Sequence, residues 1–173
     1  VPLAQAGLGE SVLIAQQIAE AVRNTFVGWT LVRITWLAVS QDMDNTLEFM
    51  HPFALPIHES PPLAQAQENI EIAVAFVPAL QACANELASV NWQGTDPLVG
   101  QAAALIVAGI NQTAQVYAQL GILNDMYLRT QNPALVTRMR TIISRHQSQC
   151  KSIDRELDKI RIALGNKYGI QFP

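Results

Sequence analysis

Three places in the chain set a helix-capping side chain directly before a proline: Ser60-Pro61, Asp96-Pro97 and Asn132-Pro133. The cap oxygen accepts one of the orphan N–H groups of a first helical turn, and proline at the first helical position has no N–H to leave unpaired. Glycine stop signals follow at Gly94 and Gly165. The pattern predicts long helices over about 61–92, 97–130 and 133–164, each about 48 Å long at 1.5 Å per residue. Loops of only a few residues between them require antiparallel neighbours.

Apolar spacing supports the same elements. Met139, Ile143, His146, Cys150, Ile153, Leu157, Ile160 and Leu164 advance in alternating steps of four and three. Ile70, Ala73, Val77, Leu80, Ala84 and Leu87 do the same. Such a stripe is the buried seam of a packed helix. Pro78 interrupts the second of these and is expected to kink or split it near Val77. From Leu98 to Ile110 the chain is apolar on nearly every side, which predicts the central helix. Gly100, Ala104 and Ala108 there form a flat strip for close approach.

The amino-terminal third carries a face of Leu8, Val12, Ala15, Ile18, Val22 and Phe26 that continues through Leu31, Ile34 and Ala38. A helix over about 8–40 matches the others in length. Gly28 and the β-branched residues of 30–35 argue for a break or a short strand, but a lone strand has no partner. Asp42 then caps a short extra helix near 43–50. Residues 51–62 hold four prolines with Phe53, Leu55 and Ile57, and read as a packed, proline-rich strap. The expected fold is all-α: one domain over 1–173, an antiparallel four-helix bundle. The longest apolar run, Phe26 to Val39, contains Arg33 and is too short to span a bilayer.

Charge is scarce and uneven. Only 14% of residues are charged, where about 25% is usual. Residues 1–128 carry Arg23 and Arg33 against eleven carboxylates, whereas Arg138 to Lys167 carries eight bases and three acids. The acidic balance argues against nucleic-acid binding, and the basic helix reads as a solvated face. The chain begins Val-Pro, which fits a processed product and an expectation of a secreted or extracytoplasmic protein. Asn111-Gln112-Thr113 is a glycosylation sequon, meaningful only for a secreted eukaryotic protein. Cys83 and Cys150 fall on helices that run parallel, at heights that permit a disulfide. Two buried thiols fit the pattern equally well.

Chemical motifs are few. Glu48 and His51 have the Glu-x-x-His spacing of di-iron bundles, but no second copy exists. No metal or other cofactor is expected, nor any catalytic set. Trp29, Arg33 and Trp36 share a helical face, as a ligand clamp or as an internal stack. The excess of apolar residues leads to an expected non-enzymatic binding protein. Its hydrophobic, lipid-like ligand would lie among Trp29, Arg33, Trp36, Phe53, Val77 and His146. The alternative is an interaction subunit of a homo-oligomer or larger complex, with a membrane-active helical protein third.

Overall fold

The computed structural model describes residues 2–50 and 63–173, with the side chains of 9–46 and 65–173. The described residues form four helices and no strand: α1 (Pro2–Met50), α2 (Leu63–Ala88), α3 (Pro97–Thr130) and α4 (Pro133–Tyr168). The fold is an all-α four-helix bundle. Helix α3 is its centre, touching all three others, with its broadest interface against α2 and its next against α4. Val99, Ala102, Ile106, Ile110, Tyr117 and Leu120 of α3 are all buried. Small residues set the spacing, although not those of the expected strip, since Ala104 and Ala108 are exposed. A Cβ on Gly109 would lie 2.5 Å from Ile153 Cδ1 and 3.3 Å from Trp36, so glycine lets α1 and α4 close on α3.

Two of the three Xaa-Pro caps lie within the described residues, and both form. Asp96 Oδ1 accepts from the Leu98 amide at 2.9 Å, and Asn132 Oδ1 accepts from the Ala134 amide at 3.0 Å. Ser60-Pro61 and the strap over 51–62 lie outside the described residues. Helices α3 and α4 are joined only by Gln131 and Asn132, and Gln131 takes a left-handed φ of 54° while donating to the Tyr127 carbonyl.

Several boundaries differ from those expected. The helices over 8–40 and 43–50 are one continuous α1. Its β-branched residues are accommodated because Thr30, Thr35 and Thr46 each return their hydroxyl to the carbonyl four residues back, at 2.8 Å. Gly28 sits where Val99 and Trp92 press against α1, 3.1 and 3.2 Å from where a Cβ would stand. Helix α2 runs unbroken through Pro78 and ends at Ala88 rather than at 92. The Ser89 hydroxyl takes the Glu86 carbonyl at 2.7 Å, and Asn91 Oδ1 caps the Gln93 amide at 3.0 Å, so local side-chain bonds replace the helical ladder. Helix α4 passes through Gly165 and ends at Gly169, which holds a φ of 66° and donates to the Gly165 carbonyl.

The buried seam of α1 also lies elsewhere. Thr25, Trp29, Val32, Trp36, Val39 and Met43 face the core, while Val12, Ile18 and Phe26 of the expected face are exposed.

Candidate functional site

Two features stand out from a filled core: an uncovered stretch of α1 and a pocket between α1 and α2. Every residue from 9 to 21 is exposed, so α1 reaches about 20 Å past the bundle as an arm. Along α1 the seam steps 14, 18, 22, 25, 29, 32, 36 in threes and fours. Where it meets the bundle, Thr25 to Trp36 are buried; beyond it, Ile14 stays 54% exposed and Ile18 60% exposed. The stripe that packs the core therefore runs past the last of the described residues that cover it. Leu13 and Val12 beside it are equally open.

The pocket has a volume of about 210 Å³. Ala38, Val39 and Met43 form its α1 wall, Phe76 and Leu80 its α2 wall, and Tyr117 of α3 closes it. An adjoining space of about 180 Å³ shares Asp42, Thr46 and Phe76 with it. Asp42 and Phe76 are exposed and form the rim. Tyr117 is 1% exposed, and its Oη is sealed from solvent beside the Thr46 hydroxyl. Burial pushes its ionisation well above the ordinary phenol value, and the Thr46 hydroxyl beside it only partly offsets this. Tyr117 therefore stays a protonated donor.

Close to Tyr117, which is one helical turn on from Thr113, lies a buried polar cluster. Thr113 Oγ1 is 2.9 Å from the Gly109 carbonyl, 2.8 Å from Met43 Sδ and 3.1 Å from His146 Nε2. A hydroxyl has one proton, and the carbonyl is its strongest acceptor here. That assigns the imidazole proton to Nε2, donating to Thr113, and leaves Nδ1 buried without a partner. Burial lowers the His146 pKa, with Gln149 opposing, so the ring is neutral. Cys150 Sγ is 3.6 Å from the same Nε2. Burial, then Asp154 and Asp44, push its pKa up to about 11, and burial followed by Glu86 raises that of Cys83. Both cysteines are free protonated thiols, unsuited to nucleophilic chemistry.

The residues singled out in the sequence do not gather into one site. Trp29 and Trp36 are fully buried, and each pins α1 to a distant element. Trp29 Nε1 donates to the Pro173 carbonyl at 2.8 Å, and Trp36 Nε1 to Asp154 Oδ1 at 2.6 Å. Arg33 is half-buried, and among the described residues no cation–π contact joins it to either indole. The two indoles are core anchors of α1, and among the described residues no ring contact joins them to each other. Val77 is half-buried against the core, and Asn111 is exposed on α3. Phe53 lies outside the described residues, as do the side chains of Glu48 and His51. No group of three or more His, Cys, Asp or Glu able to hold a metal occurs among the described residues. The basic run of α4 is locally paired, Lys159 with Glu156 and Arg161 with Asp158, both at 2.7 Å.

Comparison with protein families, curated proteins and solved structures finds no match for this chain.

Residues that pattern reading passed over carry much of the geometry. Tyr117 lies beyond the apolar stretch that ends at Ile110 and carries no motif of its own. Asp96 was read as a cap alone, yet its Oδ2 also accepts from Tyr168 Oη at 2.6 Å and pairs with Lys167. The Asp96 amide in turn donates to Thr25 Oγ1 at 3.0 Å. Asp96 thus ties the start of α3 to the end of α4 through its carboxylate and to α1 through its amide.

Proposed function

We propose that this chain is a non-catalytic interaction subunit that assembles through the arm of α1 with a second copy of itself. The carrying observation is the continuation of the α1 core seam, through Ile18 and Ile14, into a stretch where every residue is exposed. A stripe in steps of three and four is complementary to another helix with the same stripe. A lone helix of this length is only marginally stable in water, so a partner that covers it also keeps it folded. The arm of a second copy carries the same stripe, and paired arms bury the same residues from both copies. A membrane surface fits less well, because Glu10 and Glu20 outnumber Arg23 along the arm, whereas interfacial helices are rich in Lys and Arg. Among the described residues one helix, over Gln65–Ala88, is long and apolar enough to cross a membrane, but it forms the largest interface with α3.

Sedimentation equilibrium of the full chain tests the reading. The expected result is a dimer at micromolar concentration that the double substitution Ile14→Glu, Ile18→Glu converts to monomer. Both side chains are exposed, so the urea midpoint of the bundle stays unchanged. A wild-type chain that remains monomeric at several hundred micromolar refutes the proposal.

A further inference from the structure

The pairing that neutralises the end of α4 stops short of its first half. Lys159, Arg161 and Lys167 each meet a carboxylate. From Pro133 to Ile153, by contrast, the helix holds Arg138, Arg140, Arg145 and Lys151 and no Asp or Glu. Among the described residues none of those four cations is in an ion pair. We infer that this half of α4 is a docking surface for an extended, carboxylate-rich segment of another protein.

Helical spacing sorts the side chains. The seam of Met139, Ile143, His146 and Ile153 faces the core. On the opposite side Thr141, Ser144 and Ser148 fall into one strip, with Arg138 and Arg145 along one edge of it and Arg140 and Lys151 along the other. The strip is exposed and its side chains are short, so it floors a shallow trough of about 430 Å³ between Arg140 and Arg145. Thr141 and Ser148 turn their hydroxyls back to the carbonyls of Thr137 and Ser144, at 3.1 and 3.2 Å. Recognition therefore falls to the cationic edges.

Three features decide the partner. Positive charge on both edges favours anions, and arginine offers a carboxylate a planar fork. The edges run about 20 Å from Arg138 to Lys151, further than one small anion can span. An extended chain sends alternate side chains to opposite sides, so acidic residues of a segment lying along the trough reach both edges. A membrane surface or a stacked nucleic-acid strand fits less well. No large hydrophobic side chain of 133–153 is exposed, and no Phe, Tyr or Trp occurs there. Arg140 adds an internal reason. It is half-buried with no counter-charge, a state that costs stability and that a docked carboxylate relieves.

Fluorescence anisotropy of the full chain with a labelled octaglutamate peptide, at low ionic strength, tests this. Wild type is expected to bind one peptide per chain, with affinity falling as salt rises. Arg140→Gln with Arg145→Gln removes the charges flanking the trough and should weaken binding about tenfold. Arg138→Gln with Arg145→Gln, both at exposed positions, should do the same with the fold intact. Lys159→Gln with Arg161→Gln makes an equal change in net charge among paired residues, and should leave affinity within about twofold. Equal losses from the trough and control pairs overturn the inference. So does failure of wild type to bind at several hundred micromolar, displacement of the peptide by an equal concentration of inorganic phosphate, or tighter binding of phosphatidylserine vesicles through the same arginines.

Discussion

Replacing Asp96 tests how the ends of the bundle are held. Its carboxylate is buried, and its two oxygens have separate tasks: Oδ1 caps α3 through the Leu98 amide, and Oδ2 accepts from Tyr168 at 2.6 Å beside Lys167. Losing an N-cap costs about 1 kcal/mol, and losing a hydrogen bond to a charged group about 2 kcal/mol. Lys167 is in open solvent and adds little. Asp96→Ala is therefore expected to destabilise the bundle by about 3 kcal/mol, read by urea unfolding followed by circular dichroism. Asp96→Asn keeps a capping oxygen and a group able to bond Tyr168, so it loses only the ionic share, about 1 kcal/mol.

Acid adds a second readout. Burial alone opposes ionisation of Asp96, but bonds from Lys167, Tyr168 and the Leu98 amide outweigh it and hold the carboxyl below its ordinary range. A lowered folded-state pKa means that the unfolded chain takes up the proton first as pH falls. The stabilisation is complete above the unfolded value of about 4 and fades as pH drops towards the folded value. Wild type minus Asp96→Asn should show that slope between pH 6 and 2, with every other carboxyl cancelling. If Asp96→Ala stays within 1 kcal/mol of wild type (about the worth of the cap alone), or the difference is flat in pH, the triple tie is wrong.

Three further perturbations probe other contacts. Trp36→Phe removes the 2.6 Å bond to Asp154 and leaves a void, for an expected loss of about 2 kcal/mol by denaturation, with reduced short-wavelength tryptophan emission. Gly109→Leu drives a side chain into the space held by Ile153 and Trp36, and should destabilise the bundle by about 2–3 kcal/mol of overpacking, read by urea unfolding. The lowered pKa of His146 has the same sign as that of Asp96 in another window. Stability should be full above about pH 6.5 and decline as pH falls below it, and urea midpoints of His146→Gln should lack that step.

Much of the bundle was legible because it rests on local rules. Asp96-Pro97 and Asn132-Pro133 each hold a cap and a pre-set φ within two residues, and no tertiary contact competes with either. The α4 seam from Met139 to Leu164 was readable for a related reason. The helix is polar on its other side, so spacing alone identifies the buried face. Helix ends were less legible where side chains rewrote them, as Ser89 and Asn91 did at α2. Tyr117 was not legible as a site residue. Its place among apolar neighbours on α3 is the same whether its hydroxyl finds a partner or not, and only the surrounding helices decide that.

Helix α1 shows the deeper limit. From 26 to 39 it is apolar nearly all round, so periodicity could not choose between the face of Phe26, Leu31 and Ile34 and that of Trp29, Val32 and Trp36. Depth of contact chose the indoles, whose N–H groups reach Asp154 and Pro173, the Trp36 ring also filling the space beside Gly109. Towards the arm the two registers merge: Ile18, seven residues N-terminal to Thr25, belongs to both, and Ile14, four more back, continues the indole one. A hydrophobic period states which side of a helix avoids water, not whether the same chain is long enough to cover it. Among the described residues the other three helices end their cover near Thr25, which leaves the remainder of the stripe open to a further surface or to water. Substituting Ile14 and Ile18 distinguishes these cases, since an acidic pair is neutral on a solvated helix and disruptive in an interface.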